Sequence, residues 1–253
     1  FNPADNSSIG KIAEGDAQDV QKAVTGATKA QKSWAQVNRV KRANIVLQLA
    51  DQIESHKKEL AKIYQREQGK IFPAALGEVT KSIGYIKYMA SLAQSDKGEV
   101  VQNQVDHETI LLIKKPVGVT AGIIPWNAPI FILMRKMIPA LITGCSIIVK
   151  PSEETPFGTF KIAELIQKTD IPAGLVQMVN GNGSGVGNLL SKNKGIDLIS
   201  ITGSTGAGKA VMSSASNNVK QVNLELGGKA PVIVTDKADL DKAVKYIVTA
   251  RIN

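Results

Sequence analysis

A chain of 253 residues with 43% hydrophobic and 21% charged residues can bury a sizeable core and has the composition of a globular protein. No apolar run approaches the roughly 18 residues needed to span a bilayer, and one cysteine excludes an internal disulfide. The net charge of +9 raises nucleic acid as a partner, but the basic residues fall in scattered pairs (Lys41-Arg42, Lys57-Lys58, Lys114-Lys115, Arg135-Lys136) and aromatics are only 4%, so solvated helix faces are expected instead. The chain begins on Phe1-Asn2-Pro3 with no visible signal peptide and no initiator Met, so a leader before Phe1 stays open.

In chain order, residues 16–34 place Val20, Ala23, Val24, Ala27, Ala30 and Trp34 at helical spacing, with Asp16 as N-cap. The pattern predicts a second helical region over about 41–69, with Val46, Leu49, Ala50 and Ile53 on one face and Gly69 closing it. A third, about 74–94, carries Val79, Ile83, Ile86 and Met89. These helices hold no chemistry-bearing pattern and read as packing layers.

From Thr109 onward strands and helices alternate. Strands are expected over 109–114 and 117–124, on either side of Pro116, then a helix over about 130–141 and a strand over 147–150. A helix over about 157–168, a strand over 176–180 and a short helix near 186–190 follow. The next unit is a strand over 198–201, the turn Thr202-Gly203-Ser204, a helix over about 206–216 and a second apolar run over 222–226. A last strand over 232–234 precedes a helix over about 239–251. Such alternation predicts an α/β fold, a doubly wound parallel sheet covered on both faces and preceded by helices.

Several stretches in this second part carry chemistry. The turn at Gly203-Ser204 opens a helix, where small residues and free backbone N–H groups suit a phosphate. Residues 203–209 also have the spacing Gly-x-x-x-x-Gly-Lys, but Ala210 stands where a magnesium-binding Ser or Thr is needed, which argues against a nucleoside triphosphatase. Glu225 is a carboxylate inside an otherwise apolar run, and such a group is rarely buried without a partner or a task. Asn127, in Ile124-Pro125-Trp126-Asn127, lies between a strand and a helix, where it can cap the helix or aim its N–H at a developing oxyanion.

Lys150-Pro151-Ser152-Glu153 ends a strand, at the edge where sheet ligands dock; its lysine and carboxylate can reach a ribose or form a plain surface pair. The glycines over 181–187 suggest a dinucleotide fingerprint, but Gly-x-Gly-x-x-Gly fails at Val186 and Asn188. Cys145, between a helix end and an apolar strand with no adjacent His or Lys, reads as a packed small residue. His56 and His107 are isolated from each other and from the cysteine, so neither a zinc site nor a catalytic triad is indicated.

Thr202-Gly203-Ser204-Thr205 with Gly208, followed by Leu224-Glu225-Leu226-Gly227-Gly228-Lys229, resembles the aldehyde dehydrogenase superfamily. Pro125-Trp126-Asn127 and Lys150-Pro151-Ser152-Glu153 come in that family's order, and the resemblance covers essentially the whole chain, most like the lactaldehyde/glycolaldehyde branch. It implies a Rossmann-like NAD-binding domain over 1–226, including the amino-terminal helices, and the start of a catalytic domain over 227–253. It implies Asn127 as half of an oxyanion hole and Glu225 as the base that activates the hydrolytic water. Ile123, Pro125, Trp126, Lys150, Ser152, Glu153, Gly181, Gly183, Gly203, Ser204 and Leu226 would surround the cofactor, and no metal is implied. Glu153 would repel a 2′-phosphate, so NAD is expected over NADP.

Ala128 stands where the family often has an aromatic, which would widen the substrate passage. In the family an Asn-x-Gly-Gln-x-Cys segment, which ends in the cysteine nucleophile, follows the Glu-Leu-Gly-Gly-Lys strand by about one helix, so that cysteine is expected about five residues beyond Asn253. The chain is therefore expected to be an amino-terminal fragment, inactive alone, of a cytoplasmic enzyme that oxidises a small aldehyde and assembles as a homodimer or homotetramer. The alternatives are a non-catalytic nucleotide-binding module and an NADP-using or acylating member of the same family.

Overall fold

The computed structural model describes residues 1–95, 97–103 and 105–252. The apolar stripe after Asp16 forms α1 (Ala17–Trp34), which buries the six residues expected of it. Asp16 accepts from the N–H groups of Gln18 (2.7 Å) and Asp19 (3.0 Å), and the Asp19 carboxylate accepts from the Asp16 N–H (3.2 Å). A reciprocal cap of this kind stabilises a helix by about 1 kcal/mol.

The region expected as one helix over 41–69 is two, α2 (Arg39–Ser55) and α3 (Lys57–Gln68). The break falls at His56 (φ −111°, ψ 11°), whose ring Nδ1 lies 2.8 Å from the Gln52 carbonyl and competes with the helical ladder. Gly69 closes α3 in the left-handed conformation (φ +83°). α4 (Phe72–Ser91) then runs into a 3₁₀ turn, Leu92–Gln94.

A strand unforeseen in the sequence, β1 (Glu99–Gln102), pairs antiparallel with β2 (Thr109–Leu112). This ribbon is exposed and separate from the main sheet, so the strand expected over 109–114 does not extend that sheet. The main sheet is parallel, with strands β3 (Val119–Ile123), β4 (Ser146–Lys150), β5 (Val176–Met178), β6 (Leu198–Thr202) and β7 (Gln221–Glu225) in the order β5-β4-β3-β6-β7. α5 (Pro129–Thr143) and α6 (Phe157–Ile166) link β3 to β4 and β4 to β5. The chain then returns past β3, through α7 (Asn188–Lys192), to lay down β6, α8 (Thr205–Ser216) and β7 on the other side. The direction of winding reverses between β3 and β6, and ligands bind outside the carboxyl ends of strands at such a point.

Each face has its own core, because side chains alternate along a strand. Ile147 and Val149 of β4 join α2 through α6, whereas Ile148 packs with α1, α7, α8, Ile199 and Ile201. Trp34 Nε1 donates to the Leu141 carbonyl (2.8 Å) and buried Arg42 Nε to that of Ile142 (2.9 Å), fixing the carboxyl end of α5. The opposite end of α5 begins at the ligand edge of the sheet.

Two expectations near the carboxyl end change. β7 is an edge strand whose side chains alternate between exposed and half-buried, so Glu225 is exposed and not a buried carboxylate. Residues 232–234 form no strand among the described residues; Val232, Ile233 and Val234 are exposed with no neighbouring strand to pair with. α9 (Leu240–Ile252) follows, and Asn253, after which the nucleophile is expected, lies outside the described residues. No helix among the described residues is long and apolar enough to cross a membrane.

Glu67, at the end of α3, is buried and accepts the N–H groups of Phe157 (2.7 Å) and Gly158 (2.9 Å) at the start of α6. Burial pushes its carboxyl up to about 7 from an ordinary 4.5, against the opposing pull of those two N–H groups. The folded chain then holds this proton more tightly than the unfolded chain, so folding gains stability as pH falls through 7 toward 4.5 and loses it as pH rises. Between pH ~7.5 and ~5 the gain is about 2 kcal/mol. Thermal melts of this chain and of Glu67→Gln should diverge by that amount over the window, and parallel pH profiles would contradict a buried charge.

Candidate functional site

The carboxyl ends of the strands bring the expected residues to one edge of the sheet. Ile123 is in register with Lys150 on one side and Ile201 on the other, and Thr202 is in register with Glu225. The loops leaving this edge carry Pro125-Trp126-Asn127, Ser152-Glu153, Gly181 with Gly183, Gly203-Ser204 and Leu226.

Between α7 and α8, directly over the switch point, lies a mostly apolar cleft of about 500 Å³. Ile123, Ile201, Val211 and Ala207 line its wall, and Gly183, Ser184 and Gly187 line the loop side. Gly181 adopts φ +153°, and a Cβ there would sit 2.4 Å from Val186 Cγ2, so only glycine lets the chain turn into the cleft. A Cβ on Gly208 would meet Leu226 Cδ2 at 2.6 Å, so this glycine lets Leu226 lie directly on α8. Gly203 is under no such constraint, and Gly183 faces open space.

Ser204 is the N-cap of α8; its Oγ accepts the Ala207 N–H (3.1 Å), leaving the helix's positive end facing the cleft. Lys150 is no surface residue: it is 3% exposed, and its Nζ donates to the Pro151 carbonyl (2.8 Å) and Glu153 Oε2 (3.0 Å). Partial burial works to raise the Glu153 pKa; its own backbone N–H, Lys150 and the Gly183 N–H outweigh it, so the net direction is down. Ser152 is buried beside them, its Oγ accepting the Glu154 N–H (3.3 Å). A buried ammonium and a half-exposed carboxylate at one strand end present a donor and an acceptor suited to vicinal hydroxyls.

Asn127 is exposed just before α5, and its side-chain amide has no partner among the described residues. It does not cap the helix, because Ala128 occupies the N-cap without a side-chain bond. Glu225 borders a small crevice of about 110 Å³ between α5 and strands β6 and β7, together with Ile132, Arg135, Lys136, Ser200 and Thr202. Lys136 Nζ donates to Ser200 Oγ (2.9 Å). Burial lowers the Lys136 pKa to about 8, with Glu225 opposing that shift and Arg135 adding to it. Motif reading missed this lysine as part of the site; its one sequence signal is a cation on the apolar inner face of α5.

Cys145 is buried at the amino end of β4, across the sheet from the ligand edge. No group of three metal-ligating side chains occurs among the described residues.

The model of the aldehyde dehydrogenase family matches residues 1–253. This chain belongs to the aldehyde dehydrogenase family. It is 41% identical to the lactaldehyde dehydrogenase of Escherichia coli strain K12 over 251 residues, covering 99% of this chain and 52% of that one. It is 36% identical over 250 residues to the NADP(+)-designated succinate-semialdehyde dehydrogenase of the same strain, again covering 99% and 52%. The chain thus spans about half the length of these curated relatives.

The crystal structure of E. coli lactaldehyde dehydrogenase superposes with a TM-score of 0.97 at 41% identity, covering 99% of this chain and 53% of that one. A Staphylococcus aureus betaine aldehyde dehydrogenase in complex with NAD+ superposes with a TM-score of 0.96 at 36% identity, covering 98% and 50%. The family therefore includes members bound to NAD+ and members designated for NADP(+).

Proposed function

We propose that this chain is the cofactor-binding half of an enzyme that oxidises an aldehyde to a carboxylic acid with NAD. The observation that carries the reading is the convergence, at the sheet's switch point, of the cleft between α7 and α8, the Lys150–Glu153 pair and the unpartnered Asn127 amide. The residues present fit the dinucleotide. An apolar cleft accepts an adenine ring, Lys150 and Glu153 would hold the ribose hydroxyls, and the positive end of α8 at Ser204 would face the pyrophosphate. Ile123, Pro125, Trp126, Gly181, Gly183, Gly203 and Leu226 would complete the cradle. The cofactor supplies a hydride acceptor.

The chain's own residues act around that acceptor. The attacking thiolate would be that of a cysteine other than Cys145, which lies at the wrong edge of the sheet; that thiolate adds to the aldehyde carbonyl. Asn127 donates its amide N–H to the oxygen that becomes negative. Hydride departure leaves a thioester. Glu225 then takes a proton from the water that attacks it, releasing the carboxylic acid and the thiolate. On this reading residues 227–253 begin the catalytic domain, and the substrate is a small aldehyde. The assembly proposed for the full gene product is a homodimer or homotetramer, and the compartment proposed is the cytoplasm.

Glu153 sets the choice of dinucleotide, because a carboxylate at the ribose repels a 2′-phosphate. Titration of the full gene product should show NAD binding at least about tenfold tighter than NADP. Glu153→Gln should narrow that gap chiefly by improving NADP. Equal affinity for both dinucleotides, unaltered by Glu153→Gln, would remove Glu153 from the ribose site.

A further inference from the structure

Lys70 and Glu78 belong to no motif above, yet both reach the segment that carries Asn127. Lys70 follows Gly69, and its Nζ donates to Glu78 Oε2 (2.9 Å), to the Asn127 carbonyl (3.1 Å) and to the Tyr64 hydroxyl (3.2 Å). An ammonium has three protons, and here each has an acceptor. The Tyr64 hydroxyl lies 2.5 Å from Glu78 Oε2 and 3.0 Å from the Asn127 carbonyl, and the shorter contact takes its single proton. Burial, reinforced by the Glu78 charge, pushes the Tyr64 pKa up and keeps that proton in place.

Gln68 Nε2 adds a donor to the same Asn127 carbonyl (3.3 Å). The other oxygen of Glu78 accepts the Phe131 N–H (3.3 Å) in the first turn of α5, supplying the cap that Ala128 does not. The Glu78 side chain is 7% exposed, so the charge-assisted bonds it makes are shielded from water. The Asn127 peptide is thereby held from the carbonyl side by α3 and its loop, and from the helix side by α4. Among the described residues its side-chain amide has no partner.

We propose that Lys70, oriented by Glu78 and Tyr64, is a positioning residue that aims the Asn127 amide at the reacting oxygen by fixing the Asn127 backbone carbonyl. This rests on Asn127 acting as the oxyanion donor. An oxyanion donor must be held within about 0.5 Å of its working place, and a misplacement of about 1 Å costs up to roughly 10²-fold in rate. Lys70 and Glu78 also line an open cavity of about 540 Å³ bordered by Ala128 and Phe131.

A double-mutant cycle in the full gene product tests this, with Lys70→Met, Asn127→Ala and the double variant assayed for kcat, aldehyde KM and NAD affinity. Lys70 is partly exposed, so its replacement should leave folding intact, and unchanged NAD affinity would show that it does. Lys70→Met should lower kcat about tenfold with KM and NAD affinity unchanged, and should lower it less than twofold once Asn127 is Ala. Glu78→Gln should reproduce the same coupling. A loss equal in both backgrounds, or no loss from Lys70→Met, overturns the positioning role while leaving the function standing. Full activity in Asn127→Ala overturns the oxyanion assignment itself and the positioning role with it.

Discussion

Glu225→Gln in the full gene product should lower steady-state turnover by about 10²–10⁴-fold, the usual worth of a general base. The substitution keeps size and most hydrogen bonding but removes the group that accepts the proton of water. Glu225 is exposed at the end of β7, and no side-chain hydrogen bond holds its carboxylate among the described residues, which leaves room for it to swing toward the reacting carbon. If its task is deacylation, thiolate attack and hydride departure precede the step it controls. A rapid burst of NADH, equal to the enzyme concentration, should survive while turnover stalls at the thioester. Loss of the burst with NAD still bound would move Glu225 to a step before acylation. Survival of both would make the carboxylate structural.

Asn127→Ala should have the opposite kinetic signature. An oxyanion donor is worth about 10²–10³-fold in kcat, and it acts when the thiolate adds to the carbonyl. Burst and turnover should therefore fall together. Aldehyde KM and NAD affinity should stay within about twofold, because the interaction is made only as charge develops. Stopped-flow absorbance at 340 nm reads both phases in one experiment. A retained burst with slow turnover would assign Asn127 to deacylation instead.

Much of this architecture was legible in the sequence, for identifiable reasons. α1 was readable because its stripe has the helical period and Asp16 caps it; Gly69 was readable as a terminus because the left-handed conformation favours glycine. The break at His56 was not, since it depends on a side chain reaching a carbonyl one turn back. β1 escaped because both strands of its ribbon are exposed on both faces, so burial imposes no period on them. Glu225 was expected to be buried because an apolar run reads as interior, but β7 is an edge strand and sequence does not reveal strand order. Residues 232–234 have the composition of a strand, and among the described residues no strand lies beside them to pair with.

The candidate site divides in the same way. The places of Lys150, Glu153, Ser204 and Asn127 at the ligand edge were legible because they stand in short motifs at strand ends, whose place in a parallel sheet follows from the alternation alone. Lys70, Glu78 and Lys136 were not. The first two matter because α3 and α4 pack against the start of α5, and the third because the inner face of α5 meets Ser200 of β6. Such meetings are tertiary and leave no spacing to read.

A structure of this chain crystallised with saturating NAD tests the central claim most directly. The account predicts adenine in the cleft between α7 and α8, ribose hydroxyls on Lys150 and Glu153, and the pyrophosphate at the Ser204 end of α8. Dinucleotide bound anywhere else, or that cleft left empty, would contradict it.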